Sequence, residues 1–146
     1  MKKILLLLTM VLAIGLTSYA DGTYSRNVSI LPEEAKVVLA KNFQAEVSLI
    51  KTDKTLGFVS EYEVILNDGS EITFNKNGIW QTIEMPAGKV VPQTFVLKGI
   101  SSYIEKNFPN QKIVGISKES KGFEVELSNS IEMNFDKNGN FIGYDK

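Results

Sequence analysis

Apolar and polar residues alternate over residues 62–66 and 71–74, and again over 123–127 and 132–135. A period of two places Tyr62, Val64, Leu66, Ile72 and Phe74 on one side of a sheet, with Glu61, Glu63, Glu71 and Thr73 on the other. In the second set Phe123, Val125, Leu127, Met133 and Phe135 turn inward while Glu124, Glu126 and Glu132 turn outward. The breaks Asn67-Asp68-Gly69 and Ser128-Asn129-Ser130 supply hairpin-turn chemistry, as do Asn75-Lys76-Asn77-Gly78 and Asp136-Lys137-Asn138-Gly139. The stretches 62–78 and 123–139 align without a gap and are identical at eight of seventeen positions. Each therefore predicts a hairpin that runs into a further turn.

A helical period precedes each stretch. Leu31-Pro32-Glu33-Glu34 marks a helix start, because proline fits the first turn and the glutamates suit the positive end of the helix dipole. Ala35, Val38, Leu39 and Phe43 then fall on one helical face. The same spacing returns at Ile100, Tyr103, Ile104 and Phe108, and Pro109 stops the second helix. Short strands are predicted over 47–50 and 113–116, and a fourth strand follows each hairpin over 79–84 and 140–144. The helices are offset by 65 residues and the hairpins by 61, which assigns the extra residues to the turn over 52–57 against 117–122. Val91-Pro92 stands where the first helix has Leu-Pro, further upstream of the helical pattern, so the start of the second helix is less sharply marked. The predicted fold is α+β: two tandem units of one helix and a four-strand meander, 31–84 and 92–146, joined by a Pro/Gly connector over 85–91. They build one antiparallel sheet with both helices on one face, within a single domain spanning 31–146.

Ahead of this domain, Met1-Lys2-Lys3, an apolar run over 4–16 and the small residues Ser18 and Ala20 form a signal-peptide pattern over 1–20, with cleavage expected after Ala20. The run is too short to span a bilayer, so no membrane span is expected after cleavage. Residues 21–30 are polar and read as a flexible lead-in. Without Lys2 and Lys3 the formal charge moves from −1 to −3, a balance that argues against a nucleic-acid partner, whose recognition needs a basic face. The chain has no cysteine and no histidine. Disulfides, thiol nucleophiles, the commonest general base and the usual zinc ligands are therefore all missing. The expectation is a protein that is not an enzyme, has no cofactor and owes its stability to an ordinary core.

The outward set Glu61, Glu63, Glu71, Glu124, Glu126 and Glu132 is a candidate recognition surface for a basic partner. A solvated face explains the same residues, since any one-sided sheet needs outward polar positions. Trp80, the one tryptophan, is either a core residue or an exposed anchor for a protein partner. Residues 136–140 resemble the start of a calcium loop but lack its later glycine and its bidentate glutamate, and turn geometry alone accounts for them. No metal ligand is assigned. A carboxylate pair of glycosidase type has no cleft in the pattern to hold it.

The Leu-Pro-led helix ending on an aromatic residue, the Tyr/Phe-Glu-Val-x-Leu strand, the Phe-Asn/Asp-Lys-Asn-Gly turn and their duplication together resemble the PepSY-like, β-lactamase-inhibitor-like periplasmic proteins of Bacteroidetes. The resemblance covers residues 31–146 and carries no catalytic residues. It implies a periplasmic protein with a fold similar to β-lactamase inhibitor protein and an open sheet face available to a partner. The functional expectation is a non-catalytic binding or inhibitory module whose exposed sheet face meets an unidentified periplasmic protein through Glu61, Glu63, Glu71, Trp80, Glu124, Glu126 and Glu132. The alternative is a small-ligand or calcium-binding envelope protein, and the oligomeric state is left open.

Overall fold

The computed structural model describes residues 22–145, so the expected signal peptide over 1–20 lies outside the described residues. Nine strands form one antiparallel sheet in strict sequence order: β1 (Thr23–Ser25), β2 (Val47–Thr55), β3 (Phe58–Leu66), β4 (Glu71–Asn75), β5 (Trp80–Glu84), β6 (Ile113–Glu119), β7 (Gly122–Leu127), β8 (Glu132–Asp136) and β9 (Phe141–Tyr144). Helix α1 (Glu33–Asn42) precedes β2, and α2 (Lys98–Asn107) lies between β5 and β6. The β5–β6 pairing, with Ile83 opposite Ile116, makes one sheet of what would otherwise be two.

The core follows from the alternation. Ile50, Val64, Leu66, Ile72, Phe74 and Ile83 on one side of the seam, and Ile116, Val125, Leu127, Met133 and Phe135 on the other, are all buried. They form a single cluster with Ala35 and Leu39 of α1 and Ile100 and Ile104 of α2. Each helix begins against one of the Asn-Gly turns. At Gly78, whose φ is +81°, a side chain would meet the Ala35 nitrogen and the Pro32 ring at 2.9 Å. At Gly99 in α2 it would meet the Gly139 carbonyl oxygen at 2.8 Å. Glycine is thus needed at Gly78 both for the turn's positive φ and for the approach of the helix, and at Gly99 for the approach alone. The turns are closed by the side chain that opens them. Asn75 Oδ1 accepts from the amides of Asn77 and Ile79, and Asp136 Oδ1 from those of Asn138 and Asn140 at 2.8 and 2.9 Å.

Two expectations are corrected. Residues 21–30 were read as a flexible lead-in, but Thr23–Ser25 adds a strand to the sheet edge, pairing Tyr24 with Lys51, and Val28–Ile30 forms a 3-10 turn. An edge strand needs only backbone groups, so it leaves little hydrophobic pattern. The extra residues of the β2–β3 hairpin lengthen its strands instead of its turn: β2 and β3 have nine residues each against seven and six in β6 and β7. The connection is only Leu56-Gly57, both at positive φ, as a tight two-residue hairpin requires. Proline also acts differently before α2. Pro92 begins a 3-10 turn over Gln93–Phe95, and α2 itself starts at Lys98.

Candidate functional site

Both helices pack on one side of the sheet, so the other side is the open face. Cross-strand register lays its side chains out in rows. One row runs Tyr24, Lys51, Glu63, Thr73, Thr82, Ser117, Glu124, Asn134, Gly143, one residue from each strand. The adjacent row runs Leu49, Ile65, Glu71, Glu84, Gly115, Glu126, Glu132, and the amide of Asp145 continues it by donating to the Glu132 carbonyl at 3.1 Å. Gly115 leaves a hollow in the second row into which the Glu126 side chain leans: a side chain built at Gly115 would touch the Glu126 Cβ at 3.3 Å. Glu84 and Glu126 flank that hollow and repel one another across it.

Of the residues singled out from sequence, Glu61, Glu63, Glu71, Glu126 and Glu132 all stand on the open face with some exposure. Glu124 does not fit the expectation of a solvated glutamate. It lies on the open face but is only 6% exposed, and its Oε1 has no hydrogen-bond partner among the described residues. The reason is its neighbours. Ser117, directly opposite, donates its hydroxyl to Glu119 at 3.2 Å and shares a contact with Thr82, and so offers Glu124 nothing. Trp80 is corrected more fully, because it faces the helices. Pairing of Thr73 with Thr82 and then Phe74 with Trp80 leaves Gln81 as a bulge, which turns Trp80 to the inner side. There it meets Phe95 edge to face at 5.4 Å, with the Lys118 ammonium 4.0 Å over its ring. It is not an anchor on the open face.

Burial and like charge shape the electrostatics of the face. Burial first, then Glu71, Glu126 and Glu63, pushes Glu84 up to about 7. Burial first, then Asp145, Glu132, Glu119 and Glu126, does the same to Glu124, also to about 7. Glu71 is raised by burial and by Glu63, and Glu126 by burial and by Glu132. At the β1–β3 end the pattern differs, since Lys51 reaches Asp53 at 2.9 Å and Glu63 at 3.5 Å. Carboxylate oxygens of Glu124, Glu132 and Asp145 lie within 4.8 Å of one another. The Asp136 turn is otherwise engaged: its carboxylate accepts three hydrogen bonds from within the turn, and the Asn140 bonds hold it below the usual carboxylate range.

The repeated stretches and their immediate flanks point to Glu61, Glu63, Glu71, Glu124, Glu126 and Glu132 and leave out Glu84 and Asp145. Alternation next to the inward Ile83 would have found Glu84. Asp145 lies one residue beyond the last strand, where periodicity gives no signal.

The family profile described as beta-lactamase-inhibitor-like, PepSY-like matches residues 60–143. Three solved structures are similar over 86% of this chain. A periplasmic protein of unknown function from Bacteroides vulgatus is 36% identical, with a TM-score of 0.80 and 99% of its own chain covered. A periplasmic protein from Bacteroides thetaiotaomicron, provisionally described as calcium-regulated, is 29% identical, with a TM-score of 0.78 and 98% covered. A second Bacteroides vulgatus periplasmic protein is 30% identical, with a TM-score of 0.77 and 98% covered. No curated protein sequence matches the chain.

Proposed function

Since the chain belongs to the PepSY-like, β-lactamase-inhibitor-like family and is periplasmic like its structural relatives, we propose that it is a non-catalytic binding or inhibitory module whose open sheet face takes a protein partner with a basic surface. The observation that carries this reading is the acidic row of Glu71, Glu84, Glu126 and Glu132 on a face that neither helix covers. Charges of one sign lined along a surface steer an oppositely charged partner and fix its register. Glu61 and Glu63 extend the face toward β2, whereas Trp80 packs on the helix side of the sheet against Phe95.

Cross-linking pull-down from the native periplasm tests this with the Glu71→Lys/Glu126→Lys double variant beside the natural protein. The expected result is a partner captured by the natural chain, released by moderate salt, and lost with the variant while its circular dichroism spectrum is unchanged. Capture that survives the charge reversal, or a variant that unfolds, sinks the reading. A second reading, calcium binding by the same face, is favoured by the description of the Bacteroides thetaiotaomicron relative and by the oxygen-only chemistry of the acidic residues.

A further inference from the structure

We infer that Glu124, Glu132 and Asp145 form a divalent-cation site that takes calcium. The inference rests on the calcium reading of the open face and gives it a location distinct from the Asp136 turn. The three residues sit on neighbouring strands: Glu124 on β7, Glu132 on β8, and Asp145 immediately after β9, held opposite Glu132 by its backbone amide. One carboxylate oxygen from each falls within 4.8 Å of the other two. Calcium binds oxygen at about 2.3–2.6 Å, so ligand atoms on opposite sides of one ion stand about 4.8 Å apart. The three oxygens are therefore close enough to share a single ion.

Glu124 supplies the independent observation. Its side chain is 6% exposed, its Oε1 has no partner, and it belongs to the same carboxylate group. A buried carboxyl oxygen left without a donor is costly, and an ion or an ordered water is what completes such a group. Among the described residues no lysine or arginine forms an ion pair with any of the three.

The other half of the sheet shows what such a group requires. Glu63, Glu71 and Glu84 stand in the same register relation: Glu63 corresponds to Glu124, Glu71 to Glu132, and Glu84 faces Glu71 as Asp145 faces Glu132. There the Lys51 ammonium, opposite Glu63, provides the positive charge. Opposite Glu124 the residue is Ser117, and no ammonium is supplied. A cation from solution takes the role that Lys51 plays in the first half. Hard carboxylate oxygens without nitrogen or sulfur select calcium or magnesium, and a partly open group of three carboxylates completed by water suits the flexible calcium shell better than the rigid magnesium octahedron.

The test is calorimetric titration of the metal-free protein with calcium chloride, beside Glu132→Gln, Asp145→Asn and Ser117→Lys, with thermal melts as a check on folding. The natural chain is expected to bind one calcium with a dissociation constant on the order of 10⁻⁴ M, in the range of extracellular modules. Its melting temperature should rise in about 5 mM calcium, as linkage to the folded state requires. The Gln and Asn variants are expected to bind at least about tenfold more weakly, and Ser117→Lys to lose both the binding and the calcium-dependent melting shift while remaining folded. Binding that persists unchanged in all three variants overturns this location and leaves the calcium reading standing. A flat calcium trace for the natural chain sinks both, and heat of binding from magnesium chloride beside that flat calcium trace gives the site to magnesium instead. Because three substitutions at three positions are compared, the unfolding of any one leaves the other two to decide.

Discussion

Glu63 and Glu124 occupy the same position in the stretches 62–78 and 123–139, on the same face of the same sheet, yet they live in different environments. Glu63 is half-buried and reaches Lys51, which Asp53 also holds at 2.9 Å. Glu124 is buried, faces a serine whose hydroxyl is turned to Glu119, and is pushed up to about 7. A single cross-strand difference, Lys51 against Ser117, separates an ion-paired carboxylate from an orphaned one. The inner face shows no such divergence: Phe74 and Phe135, the corresponding aromatic residues, are 0% and 1% exposed in one core. Packing constrains the inner positions to the same answer twice, whereas the outer positions are free to differ.

The comparison is broken most severely from the inside. Phe74→Ala and Phe135→Ala should each cost about 3–5 kcal/mol of unfolding free energy in urea titrations, with nearly equal losses in the two halves. Strongly unequal losses would mean that the shared core is not equally tight on both sides of the β5–β6 seam.

Glu84→Gln should act in the opposite direction. With its folded pKa raised from 4.5 to about 7, Glu84 binds a proton more tightly in the folded state. Its contribution is therefore most favourable below pH 4.5 and is lost as pH rises toward 7. At about pH 8 the variant should be more stable than the natural chain by about 1–2 kcal/mol, a value reduced for solvent screening at a partly exposed group. The two should converge near about pH 4. Thermal melts across pH 4–8 check both the sign and the window, and a gap that does not narrow at low pH would refute the assignment.

Ser117→Lys gives the second half the ammonium that the first half already has. In the presence of a chelator it should stabilise the fold by about 1 kcal/mol, because it pairs a buried carboxylate. Lys51→Ser makes the reverse exchange and should cost less than about 1 kcal/mol, since Glu63 and Asp53 retain water. The double variant, measured as a cycle in urea, should give nearly additive changes across the width of the sheet.

Both helices, the four central strands and the sorting of Phe74, Phe135 and their neighbours to the inside were legible, because burial on one side writes a period of two or 3.6 into the chain. The facing of Trp80 was not. Strict alternation from Ile83 would send Trp80 outward with Thr82, and only the bulge at Gln81 reverses it. That bulge is fixed by pairing with β4, which no local pattern records. The same shift between Asn134 and Phe135 turns Phe141 inward, where it stacks on Tyr103 at 4.5 Å. The candidate site was half legible: alternation placed the glutamates outward, but the burial of Glu124 depends on which residue lies across the strand gap. Reading that from sequence requires the register of β6 against β7 beforehand.

The strict sequential order of the nine strands has a kinetic consequence. Every strand pairs only with the strands before and after it in the chain, so of the sheet's eight ladders six close over a turn and only two span a helix: β1–β2 around α1 and β5–β6 around α2. Loop-closure entropy grows slowly with length but must be overcome before distant contacts form. Hairpins β2–β3, β3–β4 and β4–β5 can therefore zip together on one side, and β6 to β9 on the other, with each helix docking onto strands close to it in sequence. The meeting of Ile83 with Ile116 is the step that depends on both, and substitutions at that seam should slow refolding more than those at the outer edges.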